Sequence, residues 1–225
     1  MQISRLLCPE KLARSLCSGS IVFFMSLVPA YGQSYEITPI VGARLGGTME
    51  LEQTGTPNFK ASIADSISFG VAGGYRFDSV DTEGHDLIEF RWTRQDSHLT
   101  AKQDPLTPAA ASFRSSITLD HFLADFTHEF LVREAPHFQP FLTGTLGAVV
   151  ISAPASNVTK FAFGIGGGVK IFPTTHWGLR LKAEYLPTLM YGELQTLVCA
   201  GGCVVALNGG VMNQFELSIG PSFRF

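Results

Sequence analysis

The chain has 225 residues and a formal net charge of −3, with 45% hydrophobic and 16% charged residues and a mean hydropathy of +0.20. The charged fraction lies below the roughly 25% of a typical soluble protein, and nothing in the charge indicates a nucleic-acid partner. No run of about 18 apolar residues is present, which excludes a membrane-spanning helix.

The first 32 residues have the pattern of a secretory signal peptide. Three basic residues precede a short apolar core at Ile21–Val28, and Ala30 and Gly32 supply small residues where a signal peptidase reads. We therefore predict a signal peptide over residues 1–32 and a single mature domain over residues 33–225. The alternative is that the apolar core forms a first buried strand.

Eight segments of the predicted mature chain alternate between apolar and polar residues, which is typical of half-buried β-strands. In chain order they are YEITPIVGARLGG, ISFGVAGGYRF, DLIEFRWTR, SITLDHFLADFTHEF, PFLTGTLGAVVI, KFAFGIGGGVKI, WGLRLKAEYLP and FELSIGPSFRF. The fourth segment alternates less regularly, and we interpret this as a change of parity at a β-bulge near Asp120.

The sixth and seventh segments form the clearest hairpin, with FPTTH as its turn. We predict a register that places glycines opposite long charged side chains, which need the room. The predicted pairs are Lys170 with Gly178, Gly168 with Arg180, Gly166 with Lys182 and Gly164 with Glu184. A slip of two residues would preserve the faces and change these partners.

The polar parity of the strands carries ten charged residues. They are Arg44, Arg76, Glu89, Arg91, Lys170, Arg180, Lys182, Glu184, Glu216 and Arg224. These charges share their face with many glycines, which indicates a crowded interior and not a water-facing surface. The apolar parity then faces lipid, where every backbone polar group must be satisfied and the sheet must close. We predict an all-β fold, a transmembrane antiparallel up-and-down β-barrel of eight strands with a charge-filled lumen.

The connections between the segments alternate in length. Long ones lie near residues 48–64, 97–112 and 194–210, a shorter one lies near 152–158, and tight ones lie near 78–84, 132–137 and 172–176. Long loops on one side and short turns on the other are typical of outer-membrane barrels.

Two cysteines, Cys199 and Cys203, lie in the last long loop. In an exported protein a pair this close can form a local disulfide, which would stiffen the loop. Free thiols and a metal site are the alternatives, although two thiols without a nearby histidine or acid fall short of four metal ligands. We expect no cofactor and no metal.

The final segment has an apolar face of Phe215, Leu217, Ile219, Phe223 and Phe225. An alternating strand that ends on phenylalanine resembles the C-terminal signal that the barrel-assembly machinery recognises in bacterial outer-membrane proteins. Together with the order of the segments, it makes residues 34–225 similar to the small eight-stranded outer-membrane barrels, the family that includes the OmpA, OmpX and OmpW barrels. The resemblance implies a Gram-negative outer membrane, periplasmic termini, and contact with outer-membrane lipid and lipopolysaccharide.

Three functions fit such a barrel, because the fold by itself does not decide. The first is a structural or surface-interaction role, with the long loops displayed to an unknown surface ligand. The second is a narrow channel for small hydrophobic molecules, resembling OmpW. The third is a lipid-modifying enzyme, for which His98, His121 and His128 are the candidate general bases. The charged interior favours the first, and we expect no catalytic residues.

Overall fold

All regular structure in the described part of the chain is β-strand. The structure is a computed structural model that describes residues 34–51, 59–78, 84–102, 113–154, 156–190, 195–198, 204–207 and 210–225. The strands found there are β1 (Tyr35–Leu45), β2 (Thr48–Leu51), β3 (Phe59–Ile63), β4 (Ser66–Asp78), β5 (Gly84–Lys102), β6 (Phe113–Phe130), β7 (Phe138–Ala153), β8 (Ser156–Ile171), β9 (Trp177–Leu189), β10 (Gln195–Val198), β11 (Val204–Leu207) and β12 (Val211–Arg224). Within these ranges, no helix is long and apolar enough to span a bilayer.

Eight of the strands close into one antiparallel barrel, which confirms the predicted fold. The ring runs β1, β4, β5, β6, β7, β8, β9 and β12, and β12 pairs with β1 to close it. We call the end with the short connections the turn end and the opposite end the loop end. Parts of the predicted long loops are strand: β2 and β3 extend the sheet beside the end of β5, and β10 pairs with β11.

The pairing around the ring fixes the shape of the barrel. Following paired residues from Tyr35 through each strand in turn leads back to β1 at Leu45, ten residues further along. A shear of this size on eight strands corresponds to a strand tilt of about 40°. The interior is then wide enough for side chains and too narrow for an open aqueous channel.

The two faces of the barrel strands meet different surroundings, as the alternation predicts. Ile67 and Ile165 on the outer face are 70% and 68% exposed, whereas Arg44 and Lys170 on the inner face are fully buried. Large apolar side chains cover the outer face on every strand of the ring. An apolar surface of this extent is suited to hydrocarbon and not to water.

The chemistry of the two faces reverses toward the loop end. On the outer face, Arg94 donates hydrogen bonds of 2.9 and 2.8 Å to Asp120, and the Trp92 indole N–H donates one of 3.2 Å to the same carboxylate. Beyond this cluster the outer face is polar, and Thr118 donates a 2.7 Å hydrogen bond to Asp96. We infer that the hydrocarbon ends at the level of Asp120, because charged groups on a lipid-facing surface are costly.

The bulge expected near Asp120 is absent, so that prediction is wrong. β6 keeps one register with β5 over its whole length and one register with β7 from Thr118 to Glu129. The sequence of β6 looks irregular because the surroundings of its outer face change from apolar to polar along the strand. The same alternate residues point inward over its whole length. Its inward residues are polar toward the turn end, as at Asp125, and apolar toward the loop end, as at Leu119.

The register predicted between β8 and β9 is also wrong, by two residues. The observed pairs are Lys170 with Arg180, Gly168 with Lys182 and Gly166 with Glu184. The argument from size complementarity still holds in part, because a Cβ added at Gly166 would lie 3.1 Å from the Cβ of Glu184.

The residues between β8 and β9 are the predicted 172–176, but the pair nearest this turn is Ile171 with Leu179, and Phe172 folds inward beside it. Its ring is buried and lies 3.5 Å from the guanidinium carbon of Arg224. Gly178 leaves room for this ring, since a Cβ at that position would come within 2.7 Å of it. Phe172 thereby covers part of the turn end of the barrel. Its inward position accompanies the shift of two residues between the predicted and the observed register of β8 and β9.

The seam between β1 and β12 lacks two backbone hydrogen bonds. Tyr35 and Phe225 exchange both of theirs, at 3.3 and 3.0 Å, and in an antiparallel ladder such pairs recur at every second residue. By this register Pro39 lies opposite Pro221 at a hydrogen-bonding position. Neither proline has a backbone N–H to donate, so two carbonyls at the seam lose their ladder partners.

Restoring the missing donors is expected to stabilise the barrel. The double substitution Pro39→Val and Pro221→Val supplies two N–H groups at the seam, and each new hydrogen bond should add about 1 kcal/mol to the free energy of unfolding. The measurement is the urea midpoint of unfolding in detergent micelles, read by heat-modifiable gel mobility.

A suitable control for this variant is Pro173→Ala, in the exposed turn before β9, because it frees the unfolded chain similarly without touching a ladder. A midpoint in the double variant that is no higher than in the wild type would contradict the assignment of the seam.

Candidate functional site

The turn end of the interior holds five charged side chains, which we call the base cluster: Glu36, Arg76, Glu129, Lys170 and Arg224. Lys170 Nζ lies 2.5 Å from Glu36 and 2.7 Å from Glu129. Arg224 bridges the same two acids at 3.0 and 3.3 Å. Arg76 Nε lies 3.2 Å from Glu129. Three cations therefore share two carboxylates, and the base cluster carries one excess positive charge.

Six charged side chains fill the middle of the interior, and we call them the central cluster. They are Glu89, Arg91, Asp125, Arg180, Lys182 and Glu184. Arg91 bridges Asp125 and Glu184 at 2.9 and 2.7 Å. Lys182 reaches the same two acids at 3.2 and 3.1 Å, and the remaining two members pair at 2.7 Å. Three acids balance three bases, as burial away from water requires.

Above the central cluster, Arg44 forms an ion pair with Glu216, and both side chains are buried. Arg44 also donates a 3.1 Å hydrogen bond to the hydroxyl of Thr93. Its second guanidinium nitrogen lies 2.6 Å from Nδ1 of His121. This histidine lies on the inner face among interior charges, where it fixes the position of Arg44.

The ten charges assigned to the interior from the sequence all lie on the inner face. Nine of them are at most 4% exposed, and the side chain of Arg76, at the turn end, is 15% exposed. The set of ten omitted the buried acids Glu36, Asp125 and Glu129. Glu36 follows the polar parity of β1, and the supposed bulge in β6 obscured the parity of the other two.

The loop end of the interior is mainly apolar, although Lys160 is also buried there and its Nζ donates a 3.3 Å hydrogen bond to the carbonyl of Met190. The apolar cluster consists of Ile63, Leu99, Ile117, Leu119, Leu123, Val149, Ile151, Val158, Ala162, Leu186, Met190 and Met212. Five of its members lie on the stretches of β5 to β8 whose outer face is largely polar: Leu99, Ile117, Leu119, Ile151 and Val158. There the barrel has the arrangement of a soluble protein, with an apolar inside and a polar outside.

The three candidate histidines do not meet. His121 is buried inside against Arg44, and His98 and His128 lie on the outer face. His128 Nδ1 lies 2.6 Å from Asp86 and lines a shallow surface pocket of about 240 Å³. No group of three or more candidate metal-ligating residues occurs among the residues with described positions.

The apolar residues of the final segment all lie outward. Phe215, Leu217, Ile219, Phe223 and Phe225 are 40–48% exposed and contribute to the lipid-facing surface. Their role as an assembly signal stays a prediction. The predicted signal peptide and both cysteines, Cys199 and Cys203, lie outside the described residues.

Comparison with solved structures supports the fold at low sequence identity. Neisserial surface protein A is 15% identical, with a TM-score of 0.53 over 85% of this chain and 97% of that one. The outer membrane protein OprG from Pseudomonas aeruginosa is 11% identical, with a TM-score of 0.53 over 86% of this chain and 96% of that one. No protein-family model and no curated protein matches the sequence. The chain therefore has the fold of the small outer-membrane β-barrels.

Removing one acid from the central cluster is expected to destabilise the barrel strongly. The substitution Glu184→Gln preserves the size of the side chain but leaves Arg91 and Lys182 with one carboxylate between them. The expected loss is about 3–5 kcal/mol of the free energy of unfolding, because an uncompensated charge remains buried. Urea unfolding in micelles measures it.

The matched control for Glu184→Gln is Asp120→Asn, which breaks the pair with Arg94 on the outer face. Since the side chain of Arg94 is 43% exposed, this change should cost under about 1 kcal/mol. Equal losses in the two variants would count against an interior that depends on charge compensation.

Proposed function

We propose that this chain is a non-conducting outer-membrane barrel that anchors a displayed surface. In this proposal the turn end faces the periplasm and the loop end faces the cell exterior. Outer-membrane lipid and lipopolysaccharide surround the barrel, and the barrel-assembly machinery inserts it. The loops and the projecting strands at the loop end meet a surface ligand. We propose no enzymatic activity.

One observation carries the proposal: the interior is filled along its length. The base cluster, the central cluster and the pair of Arg44 with Glu216 occupy the membrane-spanning part. The apolar cluster occupies the part above. Because the shear leaves an interior only about as wide as its side chains, these groups leave no room for a continuous column of water.

The heights of the strands support a role in display. β5 has 19 residues and β6 has 18, whereas a tilted strand needs about 9–11 residues to cross the hydrocarbon. The stretch of β5 from Gly84 to Arg94 suffices for the crossing. The remaining stretches of β5 and β6 project by roughly 20 Å at the strand rise and tilt of such a barrel. The β2–β3 hairpin lies against this projection.

The separation of the histidines supports a non-catalytic role. A general base needs a reacting group within hydrogen-bonding reach and a partner that orients it. His121 is held by Arg44 inside a closed barrel, where a lipid substrate has no access. The pair of His128 and Asp86 lies on the outer face near the turn end.

A second candidate function is a passage for small hydrophobic molecules, and the apolar cluster is the observation that favours it. Such a passage would have to continue from the cluster either through the charged interior or through the wall. We place this function second, because the polar outer face around the cluster explains the cluster as an ordinary core.

The closed interior predicts no ion conduction. Refolded protein in a planar bilayer is expected to give no unitary current steps, because paired charges and apolar side chains block the lumen. Insertion is verified in the same sample by heat-modifiable mobility. Reproducible current steps would overturn the non-conducting barrel and favour the passage.

The proposed orientation predicts which end is labelled on intact cells. Thr175 lies in a turn at the turn end and Asn157 lies on the outer face at the loop end, and both are exposed. In a background with Cys199→Ser and Cys203→Ser, a membrane-impermeant maleimide should label Asn157→Cys and leave Thr175→Cys unlabelled until the cells are lysed. The reverse pattern would show that the loop end faces the periplasm.

A further inference from the structure

A pocket opens at the turn end of the barrel beside the base cluster. It has a volume of about 380 Å³ and is lined by the ends of β4, β7 and β12 and by the two neighbouring turns. Its polar lining residues are Arg76, His137, Gln139, Thr174, Thr175 and Arg224. None of the residues that line it, all within the described ranges, is acidic. A volume of this size lies within the range of small-molecule sites.

The pocket presents hydrogen-bond donors. Arg224 donates a hydrogen bond from Nε to Glu36 and hydrogen bonds from Nη2 to Glu129 and Gln139. Its Nη1 makes no hydrogen bond with any residue whose position is described. Because Gln139 accepts the 2.9 Å bond from Arg224 through Oε1, its amide Nε2 is left to donate. Both groups therefore suit a ligand that accepts hydrogen bonds.

The donors are held in place. The Phe172 ring stacks under the Arg224 guanidinium at 3.5 Å, and two carboxylates fix the same guanidinium from the interior. The backbone carbonyl of Phe172 lies 2.8 Å from Nδ1 of His137, and since a carbonyl can only accept, this nitrogen donates. A preorganised site loses little conformational entropy when it binds.

The charge of the base cluster gives the sign of the ligand. The central cluster and the pair of Arg44 with Glu216 are balanced, and the base cluster alone among these three groups has one excess positive charge. Arg76 is the most exposed member and borders the pocket. Two guanidinium groups at a pocket whose described lining has no acidic residue attract an anion, because charges beside a low-dielectric interior are weakly screened.

We propose that this pocket binds a small solute that carries a phosphate or carboxylate group. The oxyanion accepts hydrogen bonds from Arg224 Nη1 and Gln139 Nε2, and Arg76 supplies the compensating charge. Charge-assisted bonds of this kind between guanidinium and oxyanion are the strong ones. The proposal concerns the turn end only and holds for either orientation of the barrel in the membrane.

The test uses the refolded mature chain in zwitterionic detergent micelles, with inorganic phosphate and citrate as probes. Binding is followed by the NMR shift of the arginine Nε–H signals. A saturable shift of the Arg224 and Arg76 signals is expected, with a dissociation constant of roughly 10 mM or tighter. Glucose, a neutral solute, should give no shift. A linear, unsaturated response to both anions would overturn the proposal.

Arg76→Gln is the informative variant, because it removes the excess charge and leaves two cations balanced by two carboxylates. It should weaken binding of both probes about tenfold or more, because a positive charge close to the bound oxyanion is removed from a weakly screened site. Arg133→Gln, at an exposed position in the neighbouring turn, changes the net charge equally and should weaken binding less than about twofold. Equal weakening in both variants would show a diffuse attraction and not a site.

If Arg76→Gln does not fold, the variant Gln139→Glu tests the same proposal. The new carboxylate can still accept from Arg224, so the barrel should fold, and its negative charge should abolish binding of phosphate and citrate. Wild-type affinity in Gln139→Glu would overturn the proposal, whereas an unchanged barrel without binding would support it.

Discussion

The structure depends on the compensation of charge inside a barrel too narrow for an open aqueous channel. The outward apolar side chains have similar free energies against lipid and against protein, so they contribute little to the stability of the fold. The barrel is therefore stabilised by its backbone hydrogen bonds and by the contacts in its interior. The interior contacts cross the barrel: Arg91 of β5 binds Glu184 of β9, and Arg180 of β9 binds Glu89 of β5. Each interior acid is paired with at least one cation from another strand, because a buried unpartnered charge is far more costly than a buried pair.

The solvent of the outer face changes along the strands, and the interior follows it. Toward the turn end the outside is apolar and the inside is mostly charged. Toward the loop end the outside of β5 and β6 is polar, and the inside combines the apolar cluster with buried polar side chains such as Gln95 and Lys160. One alternating strand can satisfy both regimes, because alternation fixes only which residues share a face. The barrel thus has an apolar-surfaced part held by ion pairs and a projecting part packed around the apolar cluster, and the same continuous strands run through both.

The sequence predicts which side chains point inward, but it does not predict which of them pair with one another or the register between β8 and β9. Alternation and the crowding of glycines with charges gave the inward position of residues such as Lys182, because those signals are local. The partner of Arg180 is 91 positions away in the chain, and only the closed ring brings Glu89 to it. The register of β8 and β9 depended on whether Phe172 folds inward, which in turn depends on Arg224 at the far end of the chain. In the sequence, the change of solvent at Asp120 has the pattern of a bulge, because apolar and polar residues exchange parity where the surroundings of the outer face change.

The seam that closes the barrel shows how the interior compensates for a weak ladder. Pro39 and Pro221 remove two backbone hydrogen bonds where β1 meets β12. On the inner face next to them, the hydroxyls of Thr38 and Ser222 lie 2.7 Å apart. Two of the interior ion pairs also cross this seam between residues opposite each other in the register, Glu36 with Arg224 below the prolines and Arg44 with Glu216 above them. These side-chain contacts join the same two strands whose ladder lacks the two hydrogen bonds, so they reinforce the seam where its backbone pairing is incomplete.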